Sequence, residues 1–498
     1  MYKIFLALLL LSNTASICLA QTTGQLTPVL QVPLNSSFIT VSPKYQSAFS
    51  TTRSLQMPNG FKAQVFYAGN LLSKPRFMAW SSDSVLHVAN MTSGNIIALP
   101  DRNHDGIADT AFVAANNVSG AHDVRFFRGS MYVAQTNQVV KLEDTNKDGF
   151  YETRATIISG IPSGGHVSRT ILIDEHNEKL YVSIGSGCNA CRESSRALIE
   201  QYDLNGQNRR IFASGARNAV GLALHPVTNR LWANNNGNDN QGSDVPPEWI
   251  DIVREGGFYG HPFVHSHQQW YNFNAAAEYR ALLPITSSDS ANVKRQVAPA
   301  ALIQAHSAPM SLSFSNASFP PQYRDGLWCV YRGSWNRSPA TGYKLVYLDL
   351  TDAQDTVANF VTDVVVGFQT PSVWGRPVGL ALDLRGNIYL GSDELTQAIY
   401  QISTSTSIIT SVNEPPQLID LKIFPNPVKD QLTCELSEFS DKELVMVEVY
   451  DAFGRLVLQQ KLRKKREILN IQQLVNGNYI LRVSMSNRFG VKQFVIER

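Results

Sequence analysis

Short strand-forming runs recur along this chain at a nearly constant interval, and no other feature limits its fold as much. They are Val85-Leu-His-Val-Ala89, Met131-Tyr-Val-Ala134, Leu180-Tyr-Val-Ser183, Leu231-Trp-Ala-Asn234, Leu327-Trp-Cys-Val330 and Ile388-Tyr-Leu-Gly391. Most follow a polar turn such as Arg128-Gly129-Ser130 or Arg385-Gly386-Asn387. Counted from Leu86, the successive spacings are 45, 49, 51, 96 and 61 residues. A short strand cannot bury its own apolar faces, whereas small sheets repeated around an axis cover one another. With almost no amphipathic helix pattern between the runs, the expected fold is all-β, a six-bladed β-propeller over residues 55–403. The 96-residue interval then holds an insertion, roughly Gly256 to Ala301, laid over one face.

Residues 1–20 have one basic residue, Lys3, then an apolar run from Ile4 to Leu11 and small or polar residues up to Ala20. This is the pattern of a secretory signal peptide cleaved before Gln21. A lipoprotein site at Cys18 is disfavoured by Ile17, and the run is too short to span a bilayer. No later stretch is long and apolar enough for a transmembrane segment. Residues 21–54 read as an N-terminal extension. Net charge is only +2, from 43 Lys+Arg against 41 Asp+Glu, so nucleic acid is not an expected partner. Beyond the signal peptide the cysteines are Cys188, Cys191, Cys329 and Cys434. The single close pair, Cys188 and Cys191, lacks the second pair that structural zinc needs. It also lacks the βαβ setting of a redox motif, and reads as a loop-stapling disulfide.

Two neighbouring repeats share the pattern Asp-x-Asn-x-Asp-Gly-x-x-acid, at Asp101, Asn103, Asp105 and Asp109 and at Asp144, Asn146, Asp148 and Glu152. Alternate oxygen ligands with Gly at position six resemble the start of a calcium loop, but position twelve is Phe112 or Ala155 instead of glutamate. Structural calcium and a plain Asp-Gly hairpin turn both remain open. Residues 404–420, rich in Ser, Thr and Pro, read as a linker. From Leu421 to Arg498 alternating strands and a Phe453-Gly454 turn describe a small Ig-like β-sandwich.

In a propeller, residues flanking the innermost strand of each blade reach the central channel. The polar groups so placed include His122, His166, Arg217-Asn218, Asn234 to Gly237, His306, Gly333-Ser-Trp-Asn-Arg337 with Lys344, and Arg376. Cationic and imidazole groups converging from several blades suit an anionic, planar ligand and a neutral imidazole base. No Gly-rich dinucleotide loop and no nucleophile elbow is present.

At these residues a family resemblance emerges. Gly165-His166, Leu180-Tyr-Val-Ser-Ile-Gly185, Ala213-Ser-Gly-Ala-Arg-Asn218 and Gly257-Phe-Tyr-Gly-His-Pro262 resemble the glucose/sorbosone dehydrogenases, six-bladed propellers that bind pyrroloquinoline quinone (PQQ). Gly333-Ser-Trp-Asn-Arg337 and Arg376-Pro-Val-Gly379 look like the sorbosone and pyranose dehydrogenase branch. The resemblance implies an exported dehydrogenase that oxidises a sugar or aldose by hydride transfer to PQQ. It makes His166 the general base and Arg217 the group stabilising the reduced quinone oxygen. It assigns Asn218, Arg376, Arg337, Lys344 and His122 to cofactor binding, and the backbone carbonyls of Gly237 and Asn238 to a catalytic Ca²⁺. The chain departs from the family pattern at Gly165, where some relatives carry an acid, and at His261, which replaces a tryptophan. Cys191 is followed by Arg192, so there is no haem-attachment motif. A separate electron acceptor, quinone or cytochrome, is therefore expected. Two other classes stay open: a carbohydrate- or protein-binding propeller without turnover, and a calcium-dependent lactonase. The C-terminal unit, with Phe424-Pro-Asn-Pro427, Val449 to Arg455 and Gly477-Asn-Tyr-Ile480, resembles a type IX secretion sorting domain. That implies the type IX machinery as a partner, and secretion to the medium or cell surface of a Gram-negative bacterium via the periplasm.

Overall fold

The computed structural model describes residues 25–350, 356–404, 420–437, 439, 445–451, 456–485 and 488–498. The expected signal peptide and nearly all of the linker lie outside the described residues. The chain divides into two compact units, residues 1–407 and 408–498.

Among the described residues the first unit is a ring of six sheets, each built on four antiparallel strands, and the sheets of blades 3 and 5 gain a short fifth strand that runs parallel to its neighbour. Their innermost strands are Pro75–Trp80, Asp123–Phe127, Arg169–Asp174, Leu222–Leu224, Pro309–Phe314 and Gly375–Leu382, numbered here as blades 1 to 6. Each innermost strand neighbours the next, and the sixth returns to the first. The six recurring runs are the second strand of each blade. Their composition follows from position: a second strand is covered on both faces by adjacent blades, so Leu86–Asn90 and Leu327–Tyr331 are buried at every residue. Separate apolar clusters fill the gaps between successive blades. Ala89, Val124 and Val133 pack between blades 1 and 2, and Ile171, Val182 and Tyr132 between blades 2 and 3.

Blade 6 takes its outer strand from the other end of the unit. Lys62–Tyr67 pairs antiparallel with Ala398–Ser403, which closes the ring. Within the stretch read as an N-terminal extension, residues 27–40 form a strap over the outer edges. Thr27 exchanges hydrogen bonds with Leu302 of blade 4, Val29–Leu30 runs parallel to Phe360–Val365 of blade 5, and Thr40 bonds Ala63 and Val65 of blade 6. The insertion lies between the third and fourth strands of blade 4 and holds two short helices, Ala277–Arg280 and Ser287–Lys294. It has its own apolar cluster around Tyr271, Tyr279 and Phe263.

The second unit packs a three-stranded sheet (Leu421–Phe424, Gln431–Leu436, Arg466–Asn470) with a four-stranded one over a core including Leu432, Val447, Leu481 and Phe494. Here burial alternates along Val445–Asp451, because each sheet has one face on the core and one in solvent.

Candidate active site

Antiparallel blades place the start of every innermost strand and the end of every second strand at the same mouth of the ring. A cavity of about 370 Å³ opens there, lined from blades 1, 3, 4, 5 and 6. Of the residues expected from the sequence, His166, Arg217, Asn218, Gly237 and Arg376 line it, with His306 beside them.

His166 sits in the loop leading into the innermost strand of blade 3. Its Nδ1 lies 2.9 Å from the Ser186 carbonyl and 3.0 Å from Ser186 Oγ. A carbonyl only accepts, so Nδ1 carries the proton and Nε2 is left as a lone pair. Burial, and then the charge of Arg217, lower the His166 pKa to about 4. The imidazole is thus neutral at physiological pH. Gly165 adopts φ +56°, and a Cβ there would stand 2.5 Å from Gly187 Cα. An acidic side chain at this position has no room.

Arg217 is buried, and all five of its N–H groups are engaged. Nε donates to Asn189 O at 3.1 Å, Nη1 to Gly237 O at 2.6 Å and Asn236 O at 3.4 Å, and Nη2 to Asn189 Oδ1 at 3.0 Å and Asp239 Oδ2 at 3.1 Å. The guanidinium therefore acts on the cavity as a fixed positive charge and has no donor free to point at a ligand.

Of the other expected residues, Asn234, Asn235, Ser334, Lys344, Arg337, His122 and Asn238 do not line the cavity. Lys344 opens the third strand of blade 5, away from the axis, and pairs with Asp363 at 2.7 Å. Arg337 is held by Asp244 at 2.7 Å and the Ser243 carbonyl at 3.0 Å. His122 is wholly buried; its Nδ1 meets the Arg169 carbonyl at 3.1 Å and its Nε2 accepts from Arg76 Nη2 at 3.2 Å, so it steadies Arg76 from behind. The Asn238 side chain turns toward the insertion, where its Oδ1 accepts from Tyr271 OH at 3.0 Å. The two Asp-Gly loops join third to fourth strands, at the far mouth of the ring. Their side chains cap their own backbones, with Gly106 N donating to Asp101 Oδ2 at 3.0 Å and Gly149 N to Asp144 Oδ2 at 2.9 Å.

The structure adds groups that the sequence did not single out. Lys74, Arg76 and Arg332 join Arg217 and Arg376, so five basic side chains line the cavity. Arg76 and Arg332 meet the buried Asp393 at 2.5 and 3.1 Å, and Arg332 also meets Glu394 at 2.6 Å. Glu248, also in the lining, is held well above the usual carboxylate range by burial, and its Oε2 has no partner. Trp335, from the Gly333–Arg337 run already expected at the channel, stands 77% exposed at the rim. Arg332 directly follows the second strand of blade 5, and Asp393 and Glu394 lie near the end of the second strand of blade 6, beside motifs already visible. That placement was the available signal. The five basic side chains outnumber the acidic ones of the lining, Asp239, Glu248 and Glu394. Val167, Val220, Ala308 and Met310 supply apolar wall.

The family model described as TrAA12-like matches residues 55–405, and that of the secretion system C-terminal sorting domain matches residues 422–497. An uncharacterized protein of Borreliella burgdorferi is 27% identical over 374 residues, 72% of this chain and 92% of its own length. A pyrroloquinoline quinone-dependent pyranose dehydrogenase of Coprinopsis cinerea is 23% identical over 415 residues, 70% of this chain and 54% of that protein, so the match spans about half of that relative. A Trichoderma reesei carbohydrate-active enzyme of family AA12 superposes with TM-score 0.60 at 20% identity, over 70% of this chain and 97% of that one. The holo form of the pyranose dehydrogenase PQQ domain from Coprinopsis cinerea gives TM-score 0.59 at 19% identity, over 70% and 97%. These likenesses show the fold, a propeller of the PQQ-dehydrogenase type.

Proposed function

We propose, because the chain belongs to the TrAA12-like family and carries a type IX secretion sorting domain, that it is an exported PQQ-dependent dehydrogenase acting on a sugar or aldose. The sorting domain points to secretion or surface display, and among the described residues no helix is long and apolar enough to cross a membrane. The observation that carries the proposal is His166, a neutral imidazole with Nδ1 tied to Ser186 and Nε2 unprotonated, on the wall of a cavity rich in cations.

Those residues suit a planar organic anion. Arg376, Arg332, Lys74 and Arg76 would hold its carboxylates, and the apolar wall would flank its ring face. When bound, PQQ supplies the two-electron acceptor for hydride from the carbinol carbon. His166 Nε2 takes the hydroxyl proton as that carbon is oxidised. Burial, and then the charge of Arg217, keep the imidazole from protonating beforehand, and Arg217 adds a fixed positive potential. Asn218 contributes an amide at the same wall. A divalent cation is less well served. Gly237 O already accepts from Arg217 Nη1, and Asn238 does not line the cavity. No step is therefore assigned to calcium.

Titration of the mature protein with PQQ, followed by dye reduction across a sugar panel, tests the proposal. His166→Ala should abolish turnover while PQQ still binds; turnover equal to wild type in that variant would end the assignment. A second reading, a sugar-binding propeller without turnover, draws on the full engagement of Arg217. Glycan affinity without PQQ affinity would favour it.

A further inference from the structure

Between the second and third strands of blade 3 the chain makes a four-residue ring, Cys188-Asn-Ala-Cys191, closed by a disulfide. So short a ring constrains the unfolded chain little, so its value has to be sought in the folded geometry. The residue inside it, Asn189, makes six hydrogen bonds. Its carbonyl accepts from Arg217 Nε at 3.1 Å and Asn238 Nδ2 at 2.7 Å. Its Oδ1 accepts from Arg217 Nη2 at 3.0 Å and from the Asp239 backbone N–H at 2.8 Å. Its Nδ2 donates to the Asp239 carbonyl at 3.1 Å and to Glu278 Oε1 of the insertion at 2.9 Å. Every donor and acceptor of the side-chain amide is used, which fixes its orientation.

The same ring bears on His166. The Cys188 carbonyl accepts from Ser186 Oγ at 2.7 Å, and Ser186 in turn fixes His166 Nδ1. One loop thus holds the arginine, the loop carrying Asp239 and the tautomer of the histidine. Both cysteines are half-buried rather than sealed, so a small reductant can reach them. Among the described residues the other cysteines, Cys329 and Cys434, are free and buried.

We propose that the Cys188–Cys191 ring is a clasp that sets Arg217 and His166, with Asn189 as its positioning residue, and that reducing the disulfide loosens the cavity. Its functional arm rests on the reading of the cavity as a quinone site; its structural arm does not.

The test compares oxidised wild type, wild type reduced and alkylated, wild type reduced and reoxidised, Cys188→Ser/Cys191→Ser, and Asn189→Ala. Hydrogen exchange over residues 234–242 is measured without ligand, followed by PQQ titration and, where turnover exists, its pH profile. Reduction, the double variant and Asn189→Ala should each speed exchange around Asp239 and weaken PQQ binding at least tenfold, and reoxidation should restore both. The pH profile should also move, because the His166 surroundings change. Unchanged exchange over 234–242 in the reduced protein and in Asn189→Ala would overturn the clasp, as would PQQ affinity within twofold across the set. Should oxidised wild type bind no PQQ, the quinone reading fails, while the exchange comparison still decides the clasp. If the double variant does not fold, chemical reduction of the folded wild type carries the test.

Discussion

Holding His166 neutral has a thermodynamic cost at low pH that can be measured without any ligand. An unfolded chain protonates histidine near its ordinary value of 6.5, whereas the folded protein does so near 4. Between those values the unfolded state binds the extra proton, so stability falls as pH drops through 6.5 and levels off below 4. The shift amounts to about 3 kcal/mol in full, with about 2 kcal/mol lost by pH 5. Other carboxylates and histidines titrate in the same range, so the informative quantity is the difference between wild type and His166→Gln, which cancels their contributions. Urea unfolding at pH 7 and pH 5 should show wild type losing about 2 kcal/mol relative to the variant. The corresponding kinetic expectation is a turnover that stays level from pH 8 to pH 5 and fails only near pH 4. A difference between wild type and variant that stays constant within about 0.5 kcal/mol from pH 7 to 5 would refute the neutral-imidazole argument.

Gly165→Ala should lose about 1–3 kcal/mol in a denaturant melt, because its backbone is left-handed and the new Cβ meets the Gly187 backbone, which cannot rotate aside. It should lower turnover with it, since His166 follows directly; a variant as stable and active as wild type would contradict the close approach. Glu248→Gln should be stable to within about 1 kcal/mol of wild type at pH 7, because burial disfavours the charged form of the acid. A large loss in that variant would mean that the carboxylate is ionised in the cavity.

The parts of the fold legible in the sequence are those whose burial leaves a composition mark. Second strands are covered on both faces, so they appear as unbroken apolar runs that can be counted. First strands carry polar or charged residues where they enter the channel, as at Asp123 and Arg169, and they left no repeat of their own. The strap of residues 27–40 escaped notice because its role is backbone pairing at sheet edges, which needs no particular side chain. The site divides along similar lines. His166, Arg217 and Arg376 belong to compact local motifs, whereas Glu248 and Asp393 matter through burial and through neighbours from remote segments. Arg337 ends the Gly333–Arg337 run and Lys344 follows it, but they pair with Asp244 and Asp363. Distance from the ring axis decides which basic group faces the cavity, and a linear sequence does not record that distance.

The seam in blade 6 makes the ring depend on the timing of synthesis and export. Lys62–Tyr67 emerges early, yet its partner Ala398–Ser403 follows only after roughly 330 further residues, and bringing such ends together costs on the order of 5 kcal/mol of chain entropy. Until then the early strand is an unpaired sheet edge, open to pairing with other chains. Translocation in a single direction would hold blades 1 and 6 apart until almost the whole first unit has crossed. Lys74 and Arg76 come from one side of that seam, Arg376 and Glu394 from the other. The cavity therefore reaches its final charge pattern only when the ring shuts, which delays any tight capture of an anionic ligand until folding is complete.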